Sequence, residues 1–153
     1  MSNRKAGDAR QRDAASLGRA AARLAKHVEK ALSPADLSLP QYRVLALLGD
    51  GSAVASALAS KLAVSPPSVT AIVDGLVARG LVSRQSDGDD RRRVTHALTD
   101  KGRRVLSDAD AEATARLEAI ARHLPGRDRE CAIEGLRLWP AAMDSYVSAS
   151  LKS

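Results

Sequence analysis

The densest group of reactive side chains is the run Asp89-Asp90-Arg91-Arg92-Arg93, just past the midpoint, with Arg84 a few residues earlier. A guanidinium offers a rigid fork of N–H donors, always charged, suited to phosphate or carboxylate and not to proton abstraction. A second group, Ser65-Pro66-Pro67-Ser68 followed by Thr70 and Ala71, carries small hydroxyls and apolar rings. Ser65 is placed as an N-cap, and Pro66 at the first helical position, where its missing N–H costs nothing. The residues that catalysis would need are scattered. His27, His96 and His123 are far apart, without the close spacing of a zinc pair. No nucleophile elbow, phosphate-binding loop or dinucleotide motif is present, and the glycines mark turns. The chemistry on offer is binding of a polyanion, with no catalytic residue, metal or cofactor expected.

The charge is unevenly spread along the chain. Of a net +6, residues 1–33 hold 8 basic and 3 acidic groups, and residues 84–104 hold 7 basic and 4 acidic. Residues 34–83 balance at 3 of each, and residues 105–153 are acidic, with 6 basic and 8 acidic. Such a distribution suits a solvated arginine-rich surface and a polyanion-binding footprint about equally. Phe is absent, with one Trp and two Tyr, while Ala supplies 29 of the 153 positions and Leu 19. An aliphatic, closely spaced core follows, which favours packed helices over aromatic-rich strands. One cysteine excludes a disulfide framework, and the length excludes a separate cofactor domain. No apolar run follows the basic N-terminus, and no window approaches 18 consecutive apolar residues. A soluble cytoplasmic protein, not a membrane one, is expected.

The elements that must position these groups are read from period and punctuation. Leu17, Ala21, Leu24, Val28 and Ala31 form a narrow apolar seam on a helix over about 13–32, ended by Ser33-Pro34. Ser38-Leu39-Pro40-Gln41 reads as a capping box opening a helix near 39–49 that buries Tyr42, Leu45 and Leu48. A short helix spans about 55–63. In the next, Val69, Ile72, Val73, Leu76 and Val77 share one face, and Gly80 is the C-terminal glycine. Strands are predicted over 81–85 and 94–98, with Asp87-Gly88 as the turn signal and a charged loop from Asp89 to Arg93 between them. Thr99 caps a helix over 100–123, and a last helix covers about 127–150, with a kink expected at Pro140. His96, sharing a strand face with Val94 and Leu98, is expected to be partly buried and hydrogen-bonded; Cys131 is expected to be a packing residue. The predicted fold is mainly α with a small β-hairpin wing: a winged helix-turn-helix with outer helices at both ends.

The segment Val64 to Gly102 resembles the core of the MarR (multiple antibiotic resistance regulator) family of bacterial transcription factors. The likeness is carried by Ser65-Pro66-Pro67-Ser68-Val69-Thr70, Asp74-Gly75-Leu76, Arg79-Gly80-Leu81-Val82, and Asp90-Arg91-Arg92 followed by Leu98-Thr99 and Gly102. Leu39-Pro40-Gln41-Tyr42-Arg43-Val44-Leu45 resembles the helix before it. The resemblance implies a homodimer on double-stranded DNA, most simply a repressor at a near-palindromic operator released by a small-molecule effector. Regions 13–36 and 103–150 would be dimerisation helices and 37–102 the DNA-binding region. Ser65, Pro66, Pro67, Ser68, Thr70 and Ala71 would enter the major groove, with free N–H groups and the helix dipole favouring phosphate. Arg92 would probe the minor groove, oriented by Asp90, while Arg91 and Arg93 reach phosphates and Arg84 joins the interface. His27, Tyr42 and Arg43 are the candidate effector contacts. One departure is visible: relatives often carry Arg near the positions of Ala71 and Gly75, and neither is basic here. That departure keeps a second reading alive, a MarR-like ligand- or protein-binding module with weak or lost DNA binding.

Overall fold

Residues 2–86 and 94–150 are described by the structure, a computed structural model, with side chains from residue 16 onward. Residues 87–93, and with them Asp90, Arg91, Arg92 and Arg93, lie outside the described residues. The chain runs α1 (Ser2–Ala31), a 3-10 turn (Ser33–Ala35), α2 (Leu39–Gly49), β1 (Ala53–Val54), α3 (Ala55–Leu62) and α4 (Pro66–Ala78). It continues through β2 (Val82–Ser86), β3 (Val94–Leu98), α5 (Asp100–Ala121) and α6 (Gly126–Ser150). The first helix starts well before the expected residue 13. Residues 2–12 are rich in Ala, Arg, Lys and Gln, good helix formers without an apolar seam, so hydrophobic period could not reveal them.

Caps set the helix starts. Ser38 Oγ accepts from the Gln41 amide at 3.3 Å, and Gln41 Oε1 accepts from the Ser38 amide at 3.0 Å, completing the capping box that opens α2. Replacing Ser38 with Ala should therefore cost about 1 kcal/mol of stability in urea unfolding, with an unchanged denaturant slope. Thr99 Oγ1 accepts from the Gly102 amide at 2.9 Å and so caps α5. At the far end of α4, the Gly80 amide bonds the Val77 carbonyl and the Leu81 amide the Leu76 carbonyl, with Gly80 at φ +69°. This is a Schellman closure, and the buried Leu76 and Leu81 supply its hydrophobic contact.

The sheet has three antiparallel strands in the order β1-β3-β2, one more than expected. Two residues with no alternation to announce them, Ala53 and Val54, pair with His96 and Thr95. This short strand satisfies the buried His96: its Nδ1–H donates to the Ala53 carbonyl at 3.3 Å. The core lies beneath α4, where Val69, Val73 and Leu76 meet Leu45 of α2, Leu58 and Leu62 of α3, and Val82 and Leu98 of the hairpin. α5 runs along α1 and fully buries only small residues, among them Ala109 in this core and Ala113 and Ala121 beyond it. The last helix buries none of its described residues, and Pro140 lies inside it without ending it. Among the described residues no helix is long and apolar enough to cross a membrane.

Candidate nucleic-acid interface

Sequence dictates a helix with one greasy side and one bare side. Packing Val69, Val73 and Leu76 inward leaves Pro67, Ala71, Asp74 and Ala78 exposed on the other face of α4, with Ser68 and Thr70 exposed beside them. The N-cap is Ser65, whose Oγ accepts from the Ser68 amide at 3.4 Å and lies 2.7 Å from Ser68 Oγ. Thr70 Oγ1 donates to the Pro66 carbonyl at 3.1 Å. These bonds revise one expectation. Pro66 and Pro67 have no N–H, and the Ser68 and Val69 amides are bonded to the Ser65 side chain and carbonyl. Residues 66–69 therefore offer no spare N–H group for phosphate, and the helix dipole is what remains there to attract an anion.

Asp74 is the one charged residue between Pro66 and Ala78. Arg84, on β2, forms an ion pair with it, both side chains being about half exposed. The pair joins the base of the hairpin to the outer face of α4 and offsets the carboxylate there. At the end of α4, Arg79 reaches across to the turn between α1 and α2, donating to the Asp36 carbonyl at 2.6 Å and the Ala35 carbonyl at 3.2 Å. From the other side, Lys101 Nζ donates to the Arg79 carbonyl at 2.9 Å, and Thr99 Oγ1 to the Gly80 carbonyl at 2.7 Å. Arg103 bonds Asp100 at 2.6 Å, and this hydrogen bond with its charge holds the Asp100 carboxyl below its ordinary range. The exposed helix is thus gripped at its C-terminal end from both the connection between α1 and α2 and the start of α5. Neither the Arg84–Asp74 pair nor the Arg79 grip was read from the sequence; a basic residue at the C-cap beside Gly80 was the available signal.

The three candidate effector contacts do not share one place. Tyr42 and Arg43 line a groove of about 310 Å³ between α2, α3 and α6, with Leu62, Met143 and Val147 among its walls. Tyr42 Oη donates to Asp110 Oδ1 of α5 at 2.6 Å. Burial first, then this bond and the Asp110 charge, push the phenol up, so it stays protonated. Arg43 Nη2 donates to the Leu62 carbonyl at 3.0 Å. His27, on α1, lies outside that groove, and its buried Nδ1 has no partner among the described residues. Cys131, expected inside the packing, is exposed. It borders a second groove of about 300 Å³ between α1, α5 and α6, walled by Leu24, Leu117, Ile120 and Trp139. Among the described residues no group of three or more His, Cys, Asp or Glu could hold a metal ion.

Comparison with known proteins agrees with this geometry. A family model described as MarR family matches residues 35–93. The chain is 34% identical over 111 residues to the HTH-type transcriptional repressor Rv2887 of Mycobacterium tuberculosis, covering 67% of this chain and 80% of the relative. Among solved structures it is similar to the transcriptional repressor CouR bound to a 23-mer DNA duplex, with 31% identity and a TM-score of 0.69 over 82% of this chain and 89% of that one. It is also similar to CouR from Rhodococcus jostii RHA1 bound to p-coumaroyl-CoA, with 30% identity and a TM-score of 0.66 over 80% and 87%. An exposed capped helix, a hairpin tied to its flank and this kinship agree: the chain belongs to the MarR family of DNA-binding transcriptional regulators.

Proposed function

We propose that the protein is a homodimeric repressor that occludes a promoter by holding a near-palindromic operator. In this reading residues 37–102 bind DNA, while residues 13–36 and 103–150 join the protomers. Each α4 lies in a major groove, through Ser65, Pro66, Pro67, Ser68, Thr70 and Ala71, with the two half-sites about one helical turn (~10 bp) apart. The hairpin tip places Arg92, oriented by Asp90, in the neighbouring minor groove, with Arg91 and Arg93 on phosphates. Arg84 acts at its flank, through Asp74. The observation that carries the dimer is the exposed apolar surface of α6. Leu138, Trp139, Met143 and Tyr146 are 70%, 62%, 56% and 76% exposed, an apolar surface that a lone protomer would leave in water.

A small-molecule effector is assigned to the groove beside Tyr42 and Arg43. Its volume of about 310 Å³ is at the small end for ligand sites. Walled partly by the DNA-binding helices and partly by α6, it lies where an occupant could alter the spacing of the two α4 helices and so lower DNA affinity. The part played by His27 would be separate, from α1. The repressor and effector roles are supported by Rv2887, named a repressor, and by CouR, bound to DNA in one structure and to p-coumaroyl-CoA in another.

Gel shift with the DNA upstream of the protein's own gene tests this reading. Binding should weaken steeply with salt, by about a thousandfold between 50 and 200 mM if ~6 phosphates are neutralised. Arg92→Ala should lose about 1–3 kcal/mol of affinity and flatten the salt slope by about one unit. Light scattering should give twice the 16.1 kDa chain mass; a monomer at micromolar concentration overturns the dimer. No shift at low salt would favour a ligand- or protein-binding module on the same fold.

A further inference from the structure

We propose that the outer face of α4 reads thymine through its 5-methyl group, and not base edges through hydrogen bonds, so the operator positions beneath it are thymine-rich. The inference deepens the DNA-binding reading above and rests on it.

The argument is an account of donors. From Pro66 to Ala78 there is no Arg, Lys, Asn or Gln, the residues that make bidentate contacts with guanine or adenine. The first two residues have no N–H, and the next two amides are already bonded within the chain. The Thr70 hydroxyl donates to the Pro66 carbonyl, and one proton of the Ser65–Ser68 hydroxyl pair is used between them. Asp74, the one group able to accept from cytosine N4 with full charge, is held by Arg84. One hydroxyl proton of the Ser65–Ser68 pair and the remaining N–H groups of Arg84, at the flank, are the donors left near the face; the rest of what it presents is carbon. Pro66, Pro67, Ala71 and Ala78 are exposed, and so is Val64 just before the cap, at 37%. Thymine is the base that places a methyl group in the major groove, and apolar contact with it needs no donor. Burying one such carbon is worth about 0.8 kcal/mol, roughly a four-fold change in affinity.

The test uses the full-length wild-type protein. A bound sequence is first selected from a random duplex library, and each thymine in it is then replaced by deoxyuridine, which removes only the methyl group. Expected is a loss of about four-fold at one or more thymines in each half-site, with little change at thymines elsewhere. At such a position, Ala71→Gly should bring the thymine-to-uracil ratio close to one for the methyl that Ala71 contacts. Because the ratio is taken within each protein, loss of stability in the variant cancels. Selection of a definite sequence in which every deoxyuridine is tolerated within about 1.5-fold overturns the inference and leaves the DNA-binding reading standing. Failure to select any sequence removes the operator reading, and the inference with it.

Discussion

Gly102→Ala is expected to cost about 3 kcal/mol of stability, a larger effect than any surface change in this protein. Helix propensity argues the other way, since Ala in a helix is better than Gly by about 1 kcal/mol. Sterics decide the sign. Gly102 is buried in the first turn of α5, and a Cβ there would lie 2.0 Å from the Leu81 carbonyl oxygen and 2.9 Å from its carbon. These are backbone atoms that cannot swing aside. The Leu81 carbonyl accepts from the Thr99 amide at 3.1 Å and from Thr99 Oγ1 at 3.2 Å, and the Leu81 amide closes α4. To admit one methyl group, the chain must move the end of α4 away from the start of α5. Thermal unfolding at fixed protein concentration should show a fall of about 6–12 °C. A variant melting within about 2 °C of wild type would mean that the crossing is loose.

The second large effect is expected from Arg79→Ala, at a residue off the exposed face of α4. The guanidinium holds two carbonyls of the connection between α1 and α2, one of them on Asp36, whose φ is +50°. Its ion pair with the Asp36 carboxylate, at 3.7 Å with that side chain 98% exposed, adds little. The bonds to carbonyls matter more, and their loss should cost about 2 kcal/mol in urea unfolding. DNA affinity should fall as well, by about ten-fold, because the helix loses its tie to the connection between α1 and α2. Residues touching neither ligand commonly shift coupling by about 0.5–2 kcal/mol. Arg79→Lys should recover less than half of each effect, since a point charge cannot bridge two carbonyls as the fork does. If stability drops while gel shift gives the wild-type affinity, Arg79 is an anchor of the fold and does not position α4 on DNA.

Both effects arise where the chain crosses itself, and this is the limit of local reading. The capping box at Ser38, the serine cap and prolines opening α4, the glycine closing it and β3 over 94–98 were all legible, because each signal acts within about four residues. The start of α1 was not, since a helix without an apolar seam leaves no period to detect. Nor was β1: two residues suffice when β3 supplies the partner. His96 was rightly expected to be buried and bonded, but its partner, Ala53, lies 43 residues away. The prolines of α4 could have warned that its first turn has few N–H groups, yet only the bonded Ser68 and Val69 amides complete that account.

The amino-acid sequence alone thus determined the order of the α-helices and of the two hairpin strands, the inward face of the exposed helix and the kinship of the chain. Cap chemistry, proline and hydrophobic period are properties of neighbours along the backbone. Tertiary structure alone decided which cations are spoken for and which surfaces stay bare. It joined Arg84 to Asp74 and Arg79 to Asp36, parted His27 from the groove of Tyr42 and Arg43, and exposed Cys131. A side chain's partner across 10 or 43 residues is set by how helices cross, which no local pattern of residues encodes.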